Sequence, residues 1–126
     1  MSQCIILDAC GWVAVIDSGI NFDIELEKIF GSFELILLNS VLEELKEIEK
    51  ERSKRKTLLI SMLESKSNII ENNEFTHTDD QIFSISEQFG YAVLTVDKEL
   101  KKRLYQSSIK VIEVNKNNHL KIIENL

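Results

Sequence analysis

The run Cys4-Ile5-Ile6-Leu7-Asp8, near the start of the chain, decides the fold class, because a short apolar segment ends there on an acid. Such a run predicts a strand that is buried on both faces, as the strands of parallel sheets are. Residues 33–38 (FELILL) and 92–96 (AVLTV) predict two further strands, and Asp97 follows the second of them. Ligands of open α/β sheets bind beyond the carboxyl ends of the strands, so Asp8 and Asp97 lie where chemistry is expected.

Helical patterns separate these strands. Strands that alternate with helices imply βαβ units with right-handed crossovers. We therefore predict an α/β fold in three layers, α/β/α, with a central, mainly parallel sheet of four to five strands. Helices are predicted at residues 11–16, 22–29, 41–48, 58–63 and 78–90 and after Asp97, and further strands at 69–70 and 110–114, with a strand or tail at 119–123.

The composition is that of one soluble globular domain, which we expect to span residues 1–126. Hydrophobic residues make up 44% of the chain and charged residues 29%, an ordinary globular balance. Cys4 and Cys10 are expected to be reduced, buried thiols. The first residues lack a basic secretion-signal segment, and no apolar run approaches the roughly 18 residues of a membrane span. We therefore expect a cytoplasmic protein without a membrane partner.

The charges are unevenly distributed along the chain. The net charge is −6, which by itself argues against a nucleic-acid partner. Two basic runs change that expectation, because an acidic total with basic patches suits a metal site beside a phosphate-binding surface; the alternative is that both runs are solvated helix faces. The runs consist of Lys50, Arg52, Lys54, Arg55 and Lys56, and of Lys98, Lys101, Lys102 and Arg103.

Several candidate acids lie at predicted helix starts, where a structural role is the simpler explanation. Asp8 and Asp97 could each cap the helix that follows, because a carboxylate oxygen accepts the free backbone N–H groups of the first turn. Ser40-Val41-Leu42-Glu43 matches the capping box S-x-x-E, which assigns Glu43 a structural role and leaves Glu44 available for function.

The segment Thr78-Asp79-Asp80-Gln81 matches the T-x-x-Q form of the same box. Asp79 and Asp80 then lie in the first turn of a helix, where the helix dipole favours negative charge. That alternative explains each acid separately. It does not explain why all four candidate sites lie at predicted helix starts facing one strand edge.

Four blocks of the sequence resemble the signature blocks of the PIN-domain ribonuclease family and cover nearly the whole chain. The resemblance places the four acids of the family on Asp8, Glu44, Asp79 and Asp97. The blocks are I-I-L-D-A-C at 5–10, V-L-E-E-L-K-E-I at 41–48, T-D-D-Q-I at 78–82 and V-L-T-V-D-K-E-L at 93–100.

Positions around these acids partly follow the family pattern. Asp79 takes the third acid position, with Asp80 as a supporting neighbour, and Thr95 matches a small hydroxyl residue that could hold a carboxylate by a hydrogen bond. The family commonly has Thr and then Ser or Asn after the first acid, where this chain has Ala9 and Cys10. It often has Asn before the last acid, where Val96 stands here.

The resemblance implies a metal-dependent endoribonuclease that uses Mg²⁺ or Mn²⁺ and leaves a 5′-phosphate and a 3′-hydroxyl on single-stranded RNA. It implies that the four acids both catalyse and hold metal. The basic runs would grip the RNA backbone without reading sequence. The residues expected to do so are Arg52, Lys54, Arg55, Lys98, Lys101 and Lys102.

The basic segment after Asp97 and the tail K-V-I-E-V-N-K-N-N-H-L-K-I are similar to those of small archaeal PIN proteins related to ribosomal RNA processing. Toxin-type ribonucleases are the next group. The partners implied are RNA, a second copy of the chain and either a ribosome-assembly factor or an antitoxin. A non-catalytic PIN-like module that binds RNA or a protein partner is the leading alternative. A Rossmann-like nucleotide site is disfavoured, because no G-x-G-x-x-G or P-loop follows the first strand.

Overall fold

This computed structural model describes residues 2–115 and 117–124, which contain six strands and six helices; every strand except the last is separated from the strand before it by one or two helices. The strands are β1 (Gln3–Leu7), β2 (Phe33–Leu38), β3 (Ser67–Ile70), β4 (Ala92–Leu94), β5 (Val111–Val114) and β6 (Leu120–Ile122). The helices are α1 (Ala9–Asp17), α2 (Phe22–Phe30), α3 (Asn39–Lys50), α4 (Ile60–Lys66), α5 (Thr78–Phe89) and α6 (Lys98–Gln106).

The strands form one sheet in the order β3-β2-β1-β4-β5-β6, in which only β6 runs antiparallel to its neighbour. The predicted α/β fold with a mainly parallel sheet is confirmed. The sheet has six strands in the described part of the chain rather than the four to five expected. The two strands at its edges, β3 and β6, have only four and three residues, and such short strands leave little pattern in a sequence.

Successive strands are added to the sheet in opposite directions on the two sides of the boundary between β1 and β4. From β1 the chain moves to β2 on one side, whereas from β4 it moves to β5 on the other. Because right-handed crossovers in opposite directions place their helices on opposite faces, the helices form two outer layers. The boundary between β1 and β4 is therefore the topological switch point, where α/β sheets bind their ligands. Asp8 follows β1 directly, and Asp97 follows β4 after two residues.

Strands β1 and β4 lie within the core. Ile5, Ile6 and Val93 have no exposed surface, as expected for parallel strands that are covered on both faces. Helix α1 lies very close to β4 at Gly11, where an added Cβ would come within 2.5 Å of the Leu94 carbonyl oxygen. Only a glycine allows that approach, and it holds the start of α1 against the end of β4.

Two long-range contacts fasten the connections around α1 and α2. The indole N–H of buried Trp12 donates a hydrogen bond of 2.8 Å to the carbonyl of Leu58, just before α4. Buried Glu25 of α2 accepts a 3.1 Å hydrogen bond from the backbone N–H of Leu120 in β6. No helix within residues 2–115 and 117–124 combines the length and the apolar character that a bilayer crossing demands.

Candidate active site

Asp8 is a buried carboxylate held by three donors at the carboxyl end of β1. Its side chain is 6% exposed, and one oxygen caps α1 by accepting a 2.8 Å hydrogen bond from the N–H of Ala9. The other oxygen accepts bonds from the Thr95 hydroxyl at 2.9 Å and the Cys10 thiol at 3.0 Å. The capping role and the cleft position therefore coexist in one residue.

Thr95 connects the two acids at the switch point. Its fully buried hydroxyl donates to Asp8 and accepts the backbone N–H of Asp97 at 3.1 Å. Asp97 in turn caps α6, because its side chain accepts the N–H of Leu100 at 3.0 Å. The predicted strand at 92–96 ends at Leu94 instead, and the two residues beyond it form the loop that carries this hydrogen bond.

Glu44 and Asp79 come from two helices whose first turns are tied together. Neither predicted capping box forms: the N-cap positions are Leu38 and His77, and neither makes a side-chain cap bond. One residue of each predicted box instead contacts the other, since Ser40 Oγ donates to Gln81 Oε1 over 2.6 Å. The amide group of Gln81 also donates to the carbonyls of Asn72 and Phe75. This contact sets α3 beside α5.

All four acids line one cleft of about 470 Å³ at the carboxyl end of the sheet. Glu43, next to Glu44, does not line it. The four acids come from four separate segments of the chain, so the fold rather than local sequence brings them together. The lining residues are Asp8, Cys10, Glu44, His77, Thr78, Asp79, Asp80, Asp97 and Arg103.

The negative charges in this cleft repel one another. Partial desolvation raises the pKa of Glu44, although its side chain is exposed overall, and the charges of Asp8 and Asp79 raise it further. Burial likewise raises the pKa of Asp79, with added contributions from Asp8, Asp97 and Asp80 and an opposing one from Arg103. The ionised forms are therefore disfavoured in the absence of a cation.

The donor set fits a hard divalent cation. Carboxylate oxygens are the ligands that Mg²⁺ and Mn²⁺ prefer, and Mg²⁺ keeps several of its waters instead of filling an all-protein cage. Within residues 2–115 and 117–124, no three His, Cys, Asp or Glu side chains already stand close enough together to hold a metal ion. The acids therefore line an open cleft rather than a closed coordination shell.

The basic residues of the two runs differ in their contacts. Arg52 forms a two-point ion pair with Asp17 and donates to the carbonyl of Lys56 at 2.8 Å, which fastens the loop after α3 to the end of α1. Lys101 is paired with Glu113 at 3.2 Å. Both side chains thus already make intramolecular contacts. Of the other residues expected to bind RNA, Lys54, Arg55, Lys98 and Lys102 are exposed.

Four residues of the cleft were outside the predicted set of site residues: Cys10, His77, Thr78 and Arg103. His77 lies at the N-cap of α5, and Cys10 donates its thiol proton to Asp8. Burial raises the pKa of the Cys10 thiol, so the thiol stays protonated as that bond requires. Arg103 belongs to the second basic run, but its position in the cleft depends on the docking of α6, which no local pattern encodes.

Comparison with known proteins identifies the family of the chain. The chain is 29% identical over 109 residues to Ribonuclease VapC4 of Methanocaldococcus jannaschii, across 82% of this chain and 83% of that protein. Its fold is similar to that in a structure of the PIN domain endonuclease Utp24, with a TM-score of 0.79 and 20% identity over 98% of this chain and 92% of that one. A family model for the PIN like domain matches residues 5–117. The chain therefore belongs to the PIN-like domain family.

Proposed function

We propose that this chain is a metal-dependent endoribonuclease that hydrolyses single-stranded RNA at the cleft lined by Asp8, Glu44, Asp79 and Asp97. The observation that carries the proposal is the position of these four carboxylates, from four separate segments, around one cleft at the switch point of the sheet. Membership of the PIN-like domain family and similarity to a ribonuclease support the same activity. The whole described chain would act as one nuclease domain.

The four acids would hold Mg²⁺ or Mn²⁺ in this proposal. When bound, such an ion offsets their mutual repulsion and polarises a phosphate oxygen of the substrate. Asp8 is the most firmly held of the four, since Ala9, Cys10 and Thr95 all donate to it. Asp97 is fixed relative to Asp8 through Thr95.

Glu44 and Asp79 line the sides of the cleft. Glu44 is exposed and Asp79 is half-buried, so both can reach a substrate that lies across the opening. Their helices are fastened to each other by Ser40 and Gln81, which fixes the width of the opening. We assign these two acids to the second half of the metal-binding set and to orienting the attacking water.

In this proposal, exposed basic residues bind the phosphate backbone of the RNA. Lys98 and Lys102 are exposed on α6, the helix that Asp97 caps. Lys54 and Arg55 are exposed on the loop after α3, which is tied to the C-terminal end of α1 and lies at the other end of that helix from Asp8, so only an RNA that extends beyond the cleft would reach them. Contacts of this kind position a nucleic acid without reading its bases. Cleavage should therefore weaken steeply as the salt concentration rises.

The biological role that we propose is the processing of ribosomal RNA, which rests on the basic segment after Asp97 and on the tail. A toxin-type role is the second candidate, and the similarity to Ribonuclease VapC4 favours it. An antitoxin gene beside the gene for this chain would support the second role, whereas its absence would support the first.

The activity is tested with a labelled single-stranded RNA and added Mn²⁺, using the adjacent acids of α3 as a matched pair. Glu44→Gln should reduce cleavage by about 10- to 100-fold. Glu43→Gln should leave it unchanged, since Glu43 does not line the cleft. A wild-type chain that binds the RNA but does not cleave it would instead identify a non-catalytic RNA-binding module. Equal effects of the two substitutions would argue against this cleft as the active site.

A further inference from the structure

Arg103 brings a positive charge into a cleft that is otherwise acidic. The nine side chains of the described chain that line this cleft include five carboxylates, and Arg103 carries the only formal positive charge among them at neutral pH. An RNA phosphate that enters such a cleft is repelled by the carboxylates. A cation fixed at the same place offsets this repulsion and attracts the phosphate, even when no metal ion is bound.

Two contacts hold the Arg103 side chain in place. Its Nη1 donates a 2.6 Å hydrogen bond to Asp80 Oδ1, and its guanidinium lies 4.2 Å above the centre of the Phe83 ring. Asp80 and Phe83 are both in α5, whereas Arg103 is in α6. The guanidinium is thus anchored from α5, and the Arg103 side chain as a whole remains 45% exposed.

The anchoring leaves most of the guanidinium free to bind another anion. An arginine has five N–H donors in a planar fork, and Asp80 is the only side-chain acceptor of Arg103 within residues 2–115 and 117–124. Ion pairs as exposed as this one are weak. A phosphate that accepts two N–H groups at once makes a stronger, bidentate contact.

We propose that Arg103 binds the RNA phosphate beside the scissile bond and that Asp80 holds Arg103 in place until the phosphate arrives. The inference rests on the proposed function, because it takes RNA as the ligand of this cleft. It gives Asp80 a role different from that of the neighbouring Asp79. Phe83 keeps the plane of the guanidinium fixed through either contact.

The test measures binding separately from cleavage. A fluorescent single-stranded RNA is titrated with the chain in EDTA over a series of salt concentrations, and the dissociation constant is read from anisotropy. Arg103→Met removes the charge but keeps an apolar chain on Phe83, so folding should persist. We expect the dissociation constant to rise about tenfold and the slope of log affinity against log salt to shrink by about 0.7, which is the loss of one phosphate contact to a single strand.

Two further variants separate charge from geometry. Arg103→Lys keeps the charge without the planar fork, so the salt slope should stay at the wild-type value while binding weakens by about threefold. Asp80→Asn keeps an oxygen that can accept a hydrogen bond from Arg103 but removes the negative charge that competes with the phosphate, so it should tighten binding. In steady-state cleavage with Mn²⁺, Arg103→Met should raise KM more than it lowers kcat.

Lys66 provides a matched control. It too is ion-paired, with Asp23, and lies over an aromatic ring, that of Phe22, at 5.3 Å. Its exposure of 41% is close to that of Arg103, but it lies outside the acidic cleft. Lys66→Met should change neither the dissociation constant nor the salt slope.

The outcomes separate this inference from the proposed function. Wild-type affinity and salt slope in Arg103→Met, together with normal RNA cleavage by the wild type, would overturn the role of Arg103 and leave the nuclease assignment standing. Weakened binding by Arg103→Met in a chain that never cleaves RNA would support the phosphate contact and overturn the nuclease assignment. A wild-type chain that neither binds RNA in EDTA nor cleaves it with Mn²⁺ would overturn both.

Discussion

The hydroxyl of Thr95 donates a 2.9 Å hydrogen bond to Asp8 Oδ2 and accepts the backbone N–H of Asp97 at 3.1 Å. One fully buried side chain thus fixes the first and last acids of the cleft relative to each other. The parallel pairing of Leu7 with Leu94 brings Asp8 and Thr95 to the same level at the end of the sheet.

Thr95→Val should separate the two acids without removing either. Valine has a similar shape but no hydroxyl, so a buried oxygen of Asp8 loses a donor, which costs about 1–3 kcal/mol of unfolding free energy. We expect Mn²⁺-dependent RNA cleavage to fall by about 10- to 100-fold. Thr95→Ser, which keeps the hydroxyl, should retain most of the activity. Equal activity of the valine and serine variants would show that the hydrogen bond does not matter.

Gly11→Ala should lower both the stability and the cleavage activity, because it disturbs the packing of α1 against β4. The new methyl group would lie 2.5 Å from the Leu94 carbonyl oxygen, so α1 would have to move away from β4. Overpacking of this kind costs about 1–3 kcal/mol, measurable by urea denaturation. Because Asp8 caps α1, cleavage should fall as well. Ala14→Gly, in the same helix, serves as the control: it should lower stability without a comparable loss of activity.

Asp79→Asn should stabilise the metal-free chain. Burial and the neighbouring acids raise the pKa of Asp79, so its ionised form is disfavoured in the folded state. A raised carboxyl pKa lowers the stability above that pKa, and the loss disappears as the pH falls through it. In EDTA at neutral pH the variant should therefore unfold at a temperature higher by on the order of a few °C.

Added Mn²⁺ should reverse that ranking. Metal binding to the folded chain alone raises the unfolding temperature, and the wild type should gain more than Asp79→Asn because it has the full set of acids. Glu43→Gln, outside the cleft, should respond to Mn²⁺ as the wild type does. The absence of any Mn²⁺-dependent shift in the wild type would contradict metal binding.

Glu25→Gln should reveal an acid-sensitive contact far from the cleft. The backbone N–H of Leu120 lowers the pKa of Glu25, and His119 and Lys28 lower it further. A lowered carboxyl pKa adds stability above the unfolded-state pKa of about 4.3, and that stability is lost as the pH falls through the folded-state pKa. The wild type should thus be more stable than the variant at neutral pH. A difference that stays constant down to strongly acidic pH would contradict this.

The sequence pattern predicted the fold well where strands are apolar and buried. The predicted strand at 33–38 coincides with β2, because its hydrophobic run is bounded on both sides. Asp8 and Asp97 could be located from the ends of such strands alone. The edge strands β3 and β6 were less clear, since a strand paired on one side only is shorter and less apolar.

The local capping motifs gave the wrong contacts. Ser40 and Gln81 each fit a capping box, yet they bond to each other over 41 residues of sequence. The hydrogen bond between Ser40 and Gln81 forms in place of the predicted capping bonds, and no local sequence motif encodes a contact between such distant residues. Glu44 nonetheless lines the cleft and Glu43 does not, although the capping box from which we chose between them does not form. The catalytic role of the four acids stays a prediction.

The most direct test of the central claim is the Mn²⁺-dependent cleavage of single-stranded RNA by Asp8→Asn. Asparagine still caps helices well, so α1 should form while the cleft loses its most firmly held carboxylate. We predict a loss of at least about 100-fold in cleavage, with RNA binding in EDTA retained. Asp23→Asn, which changes an acid outside the cleft, should cleave as the wild type does. Undiminished cleavage by Asp8→Asn would contradict the assignment of this cleft as the active site.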